Sequence, residues 1–379
     1  MRIRTPHRVA AAVAGVALAV TLAVPAVAAT RSAPNTLQSQ VDVVLNTGDV
    51  GVIAESTDQR GHRYAAGGEA DTSTAAAARP YDSFRIGSAT KTFVATVILQ
   101  LVGEHRLSLE DTVDHWLPGV VTGNGNDGTK ITVRELLQHT SGIYDYTQDF
   151  PELASAANFE RLRLTTFTAT ELVAIAMRHQ PDFAPGTNWA YSNTNYVLAG
   201  MIIQEVTGHS WQDEVDRRII GPLHLRHTAA PTTDPAIHGP HLHGYAGPAP
   251  AIDTTLWNPS AADAAGAIIS TTQDLTTFYS ALMRGRLIAP AQLAQMETTV
   301  PAPGLSGFAP GTRYGLGLIW IPLTCGGGYY SHGGDVPGYS TRDGFSADGA
   351  RVVVAVRTGA GDGSEQAMAN LVDQQLCEH

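Results

Sequence analysis

The sequence predicts an α+β protein, an α/β sandwich whose antiparallel sheet is drawn from both chain ends and flanked by helices. Three observations lead there. Short apolar runs bounded by turn residues gather near the two ends of the chain. Between them the apolar period becomes helical. Nowhere do strands and helices alternate in the βαβα manner of a doubly wound sheet. The chain has 379 residues, 43% of them hydrophobic, which supplies a packed core and excludes a disordered polypeptide.

The elements follow in order. Arg2, Arg4 and Arg8 precede an apolar run from Val9 to Val24, and Ala26-Val27-Ala28 follows as a small-residue cleavage site. That order reads as a secretory signal peptide over residues 1–28, with an uncleaved anchor helix as the alternative. Residues 29–40 are polar and expected to be mobile, so the folded domain is expected over 41–377. Strands are expected at Val43 to Leu45, Val50 to Ala54 and Phe84 to Ile86, and again at Tyr314 to Leu323, Gly338 to Phe345 and Arg351 to Arg357. A mainly helical part, roughly 105–280, is inserted between them. Just before it, Phe93, Val94, Val97, Ile98, Leu101 and Val102 make one apolar helix face. Thr132-Val133-Arg134-Glu135 reads as a capping box. Tyr196 to Val206 and Leu275 to Met283 are amphipathic, with Gly208 and Gly285 as stops. The cleft between sheet and helices is the expected place for a site.

Charge and cysteine content narrow the function. With 24 Lys+Arg against 35 Asp+Glu the net charge is -11, and removing residues 1–28, with their three arginines, takes it to -14. An acidic chain lacks the basic face that a nucleic acid needs. After the signal no run approaches a membrane span. Cys325 and Cys377 lack the spacing of a zinc site. In an exported protein they are expected to form one bridge, removing roughly 4 kcal/mol of unfolded-state entropy in the chain model. Two buried thiols are the alternative. The histidines of His238-Gly239-Pro240-His241-Leu242-His243 read as a polar loop, and neither metal nor cofactor is expected. Only two lysines occur, Lys91 and Lys130, the latter expected to be ordinary surface.

Three short motifs carry chemistry. Ser88-Ala89-Thr90-Lys91 lies where a strand runs into a helix. A lysine one helical turn from a serine can take its proton if burial favours the neutral amine, and the helix N-terminus offers N–H groups to a developing oxyanion. Tyr191-Ser192-Asn193 precedes a helix. The tyrosine can relay a proton and the asparagine can bond both lysine and substrate, although the segment could equally be a helix cap. In His332-Gly333-Gly334-Asp335 the glycines admit a substrate backbone to a strand edge and His332 can offer polarity or a proton, unless this is a simple glycine turn.

Together, in this order, the motifs resemble those of the penicillin-recognising serine hydrolases, Ser-x-x-Lys, Tyr-x-Asn and His/Lys-x-Gly. The β-lactamase/transpeptidase-like fold is what that likeness implies. Phe84 to Ser88, Leu136 to Gly142, Tyr191 to Gly208 and Ala265 to Leu275 read as further signatures. The likeness covers about residues 40–377 and is strongest to the class C β-lactamase branch and the secreted streptomycete D-alanyl-D-alanine carboxypeptidases. It implies Ser88 as acylated nucleophile, Lys91 as proton acceptor, Tyr191 as proton relay, Asn193 for the substrate amide and His332 in support of Tyr191. The backbone N–H groups of Ser88 and Asp335 are the implied oxyanion hole, with Gly333 and Gly334 beside the substrate. β-Lactams are implied as acylating inhibitors, and a small peptide or ester, cell-wall peptides included, as substrate of a monomeric secreted enzyme.

The departures from that pattern concern the substrate. The carboxypeptidases hold a terminal carboxylate with one arginine and two threonines, and the corresponding residues here are Ile319, Gly333 and Asp335. Losing charge-assisted bonds costs roughly 1.5–3 kcal/mol each, and an aspartate repels a carboxylate. Arg342 or Arg313 is the available compensation. The expected activity is that of a D-alanyl-D-alanine carboxypeptidase-like serine hydrolase with altered carboxylate recognition. A D-aminopeptidase, amidase or esterase is the alternative, and a non-catalytic peptidoglycan-binding module is a further one.

Overall fold

The computed structural model describes residues 36–150, 156–247, 251–305 and 309–378. The segment read as a signal peptide, 1–28, lies outside them, as does 29–35. Residues 36–40, expected to be mobile, instead open helix α1 (Thr36–Leu45), which also absorbs the strand expected at Val43 to Leu45. Leu37, Val41 and Val44 are fully buried. Their spacing of four and three residues puts one side of the helix on the sheet, and that tertiary burial overrides the local strand-like run.

Among the described residues the sheet has ten strands: β1 (Gly51–Asp58), β2 (Gly61–Asp71), β3 (Ala76–Ala77), β4 (Val300–Pro301), β5 (Arg313–Tyr314), β6 (Ile319–Pro322), β7 (Gly328–Ser331), β8 (Gly334–Val336), β9 (Tyr339–Phe345) and β10 (Val352–Thr358). They lie in the order β4-β5-β6-β7-β9-β10-β1-β2-β3, all neighbours antiparallel, with β8 also on β9. The first strand of the chain thus pairs with the last, Ile53 opposite Val356. This joins the two ends as the sequence pattern predicts.

Alternation along β10 shows how the sheet becomes a middle layer. Val353 and Ala355 face α1 and the C-terminal helix α6 (Ser364–Cys377), in a core with Val41, Val52, Leu371 and Val372. Val352, Val354 and Val356 face the opposite way, toward Phe93, Phe278 and Leu282. A strand buried on both faces reads as a continuous apolar run for this reason. Cys325 is bonded to Cys377 with Cα atoms 5.9 Å apart, tying the end of α6 to the β6–β7 turn.

On the second face lie α2 (Thr90–Gly103), α3 (Val133–Gln138), α4 (Asn193–Thr207) and α5 (Thr272–Met283). The capping box at Thr132 and Glu135 is formed, and Gly208 ends α4 at φ +77°. Helix α2 departs from the amphipathic expectation, because every residue from Thr90 to Leu99 is buried. Its threonines satisfy themselves: Thr92 Oγ1 donates to Gly317 O at 2.8 Å and Thr96 Oγ1 to Thr92 O at 2.7 Å. A helix buried all round is a rigid base for whatever its N-terminus carries. Among the described residues no helix is long and apolar enough to cross a membrane.

Candidate active site

Ser88 sits in a one-turn 3-10 segment, Gly87–Ala89, that leads into α2. Gly87 has φ +53°, in the left-handed region open to glycine. Beyond it the chain of β8 passes very close. A Cβ on Gly334 would lie 2.4 Å from Ser88 N and 2.1 Å from Ile86 O, and one on Gly87 would lie 2.8 Å from Asp335 N. Glycine at both positions permits this approach, which brings the backbone of Gly334 and Asp335 against that of Gly87 and Ser88. β7 and β8 share one side of β9 end to end, and His332-Gly333 is the break between them.

The lysine is the centre of the hydrogen bonding. Lys91 Nζ lies 3.0 Å from Ser88 Oγ, 2.8 Å from Asn193 Oδ1 and 2.7 Å from Ala265 O. The orientation of the Asn193 amide is set on its other side, where Nδ2 donates to Asp145 Oδ2 at 3.0 Å. Lys91 is fully buried, with the Tyr191 ring centroid 4.8 Å from its ammonium. Burial pushes its pKa down to about 7, with Asp145 pulling the other way. Tyr191 moves oppositely: burial raises its phenol well above the usual value, against a hydrogen bond with Ser88 that lowers it. Ser192 takes the N-cap position of α4 with no side-chain cap bond, its backbone N–H donating instead to His139 Nδ1 at 3.2 Å.

His332 is buried, and of the polarity or proton expected from it the environment favours polarity. Burial, then the charge of Lys91, lowers its pKa to about 3, so it is neutral near pH 7. Its Nε2 accepts from Tyr314 OH at 2.7 Å, and its ring centroid is 6.5 Å from that of Tyr191. Tyr314 is therefore the direct partner of His332. Asp343 holds the backbone N–H of His332 at 2.7 Å.

The other predicted positions separate cleanly. Ile319 is buried in the core shared with α1 and α6 and brings no cation to the cleft. Arg313 is spent on Thr299, donating to its hydroxyl at 2.8 Å and its carbonyl at 2.7 Å. Arg342 lies 3.2 Å from Asp335 Oδ1. Lys130 is exposed and paired with Asp127 at 2.9 Å. In the polar loop His238 pairs with Asp234 at 2.7 Å, His243 with Asp253 at 3.0 Å, and His241 Nδ1 with Gly239 O at 2.7 Å.

A cavity of about 330 Å³ opens beside Ser88 and Asn193 and is lined by Tyr146, Phe150, Trp257, Val336 and Asp335 among others. Asp145, Tyr146 and Trp257 are site residues that the sequence reasoning missed. The signal for the first two lay at hand, since they follow directly on the Leu136 to Gly142 signature. Trp257 had none.

The Beta-lactamase family model matches residues 48–377. The chain belongs to that family. Among solved structures it is similar to the D-stereospecific amidohydrolase from Streptomyces sp., at 42% identity and a TM-score of 0.82, covering 89% of this chain and 97% of that one. It is also similar to the D-amino acid amidase from Ochrobactrum anthropi SV3, at 27% identity and a TM-score of 0.77, over 90% and 97% of the two chains. PbpX of Bacillus subtilis (strain 168), a protein named for penicillin binding, is 28% identical over 73% of this chain. The chain spans less than two thirds of that relative, 62% of its length. Family and neighbours together give the chain the β-lactamase and penicillin-binding fold.

Proposed function

We propose that the protein is an exported serine acyl-hydrolase that cleaves small amides of D-amino acids through an acyl-enzyme on Ser88. The observation that carries this reading is the hydrogen-bond valence of Lys91. A neutral amine has two N–H groups and one lone pair. Asn193 Oδ1 and Ala265 O can only accept, so they take both N–H groups and leave the lone pair for the Ser88 hydroxyl. Ser88 Oγ attacks the substrate carbonyl as its proton passes to Lys91, and the carbonyl oxygen, now negative, is held by the N–H groups of Ser88 and Asp335. Tyr191, kept protonated by burial, passes its proton to the departing amine, which carries away the broken C–N bond's electrons, and is reprotonated from Lys91, which returns to the neutral amine. A water then adds to the acyl group, its proton returning by the same route, and the acid leaves Ser88.

The amide side of the reading rests on the third motif and the cavity. Ile319, Gly333 and Asp335 offer a free carboxylate no positive charge, which argues against a carboxypeptidase preference. The aromatic lining suits an apolar side chain on the acyl group. Two relatives similar over nine tenths of this chain are named for D-stereospecific amide hydrolysis. Residues 1–28 and the Cys325–Cys377 bridge support export.

Ammonia release from D-phenylalanine amide and its L-enantiomer, set beside D-alanine release from acylated D-Ala-D-Ala, tests the reading. Turnover of the D-amide, lost in Ser88→Ala, is expected. Efficient release of C-terminal D-alanine with no D-amide turnover would return the protein to the carboxypeptidases.

A further inference from the structure

Resting on the amidohydrolase reading, the third motif carries a more specific device. Arg342, on β9 and only 8% exposed, lays its side chain along Gly333. A Cβ on Gly333 would meet its Cδ at 3.3 Å and its Nη1 at 3.5 Å. The contact that demands a glycine is the Thr341 carbonyl, 2.5 Å from that Cβ position, and the guanidinium packs beside the same bare backbone. Nη1 donates to Thr341 O at 2.8 Å and to Asp335 Oδ1 at 3.2 Å, while Nη2 pairs with Glu365. Asp335 Oδ1 also accepts from Ser340 Oγ at 2.6 Å. Asp335 stands between the cavity beside Ser88 and a second one of about 460 Å³ that Arg342 and Glu365 line. A carboxylate belonging to the protein therefore sits on a buried cation, on the same residue whose backbone N–H is one of the proposed oxyanion donors.

We propose that Asp335 is a specificity determinant that acts as an internal stand-in for a substrate carboxylate, occupying Arg342 so that leaving groups with a free carboxylate are excluded. Gly333, Asp335 and Arg342 then form one unit. The glycine brings the motif's backbone against the carbonyl of Thr341 beside the cation, and the aspartate masks that cation from the substrate while repelling any competing anion. Removing the negative charge at 335 does two things at once. It ends the repulsion, and it takes from Arg342 one of its two carboxylate partners, Glu365 being the other, so that more of the buried positive charge is felt beside the cleft.

The test compares acylation of Ser88 by benzylpenicillin and by its methyl ester, which differ only in the carboxylate, with a fluorophosphonate as an uncharged control probe. Acylation rates are followed by intact-protein mass spectrometry. The acid-to-ester rate ratio is expected to rise about tenfold in Asp335→Asn, the worth of one charge-assisted bond. It should fall back toward wild type in Asp335→Asn/Arg342→Gln. If that double variant does not fold, the gain in Asp335→Asn should instead shrink as salt is raised, because it comes from a charge. An unchanged ratio in Asp335→Asn, or a gain that survives the loss of Arg342, overturns the proposal. Acylation by neither penicillin in any variant, with fluorophosphonate labelling kept, also overturns it and leaves the serine-hydrolase reading intact. Failure of every probe to label Ser88 removes that reading, and the proposal with it.

Discussion

One wall of the cleft comes from the helical stretch of the chain and is aromatic; the other comes from the sheet edge and is polar and charged. Trp257 and Ala261 belong to a small core of their own with Phe159, against which Phe150, Phe167 and Val336 pack. Behind Trp257 lies the guanidinium of Arg85, 5.6 Å from the ring, itself held by the carbonyls of Pro235 at 2.6 Å and Thr255 at 3.1 Å. Across the cleft, Asp335 offers a backbone N–H group and a carboxylate, backed by Ser340, Arg342 and Glu365. An apolar wall discriminates by shape and area, at roughly 1–3 kcal/mol per methylene-sized misfit. A charged wall discriminates by sign and by unmet hydrogen bonds, and it also serves every substrate alike, because one of the two oxyanion donors, the Asp335 N–H, stands on it.

The largest effect should therefore come from breaking the charged wall where it touches the nucleophile. In Gly334→Ala the new methyl meets backbone on both sides, Ile86 O and Ser88 N, so β8 must move outward and take the Asp335 N–H with it. A fall in kcat/KM of about 10²–10³ is expected, equal for D-amides with large and small side chains, as for loss of one oxyanion donor. Circular dichroism and a melting curve separate this from unfolding. Near wild-type turnover would mean that the close approach of β8 is not what assembles the oxyanion site.

Breaking the aromatic wall should be selective instead. Trp257→Ala is expected to lower kcat/KM for D-phenylalanine amide by about 10–100-fold and to change that for D-alanine amide by less than about threefold. Equal losses on both substrates would show that Trp257 supports the site as a whole and does not read the side chain.

The two walls also differ in how far they could be read in advance. Ser88, Lys91, Tyr191 and Asn193 were legible because each motif is local and its chemistry depends on residues within one helical turn. Gly334 was legible as a close-approach glycine but not the atom it approaches, since Ser88 N is almost 250 positions away in sequence. The aromatic wall assembles Tyr146, Phe150 and Trp257 from segments with no shared motif, and a lone tryptophan in a loop carries no address. Arg342 was visible as a candidate cation, yet where a long flexible side chain ends depends on its neighbours, here Gly333, Asp335 and Glu365. In the fold, runs of alternating or helical period were legible along most of their length. Val43 to Leu45 failed because three apolar residues fit either period, and only the burial of Leu37 and Val41 on the sheet decides for helix.

Between the walls, at the seam, lies Lys91, and its titration gives the mildest and most general effect. The charged form is the one that burial penalises, so the amine loses its proton at about pH 7 rather than at the ordinary lysine value. Since the neutral amine is the base, kcat/KM should be flat above about pH 7 and fall about tenfold for each unit below it. His332, held at about 3, and His139, held far below its usual value by burial, add no second proton in that window. Tyr191, pushed upward, should leave the plateau intact to about pH 9. A nitrophenyl ester without an amino group keeps the substrate's own titration out of the profile. Asp145 raises the lysine through its charge, so Asp145→Asn should move the acid limb to lower pH while Asn193 keeps an oxygen to donate to. A limb of two protons, or one that Asp145→Asn moves upward, would show that the base at the seam is not Lys91.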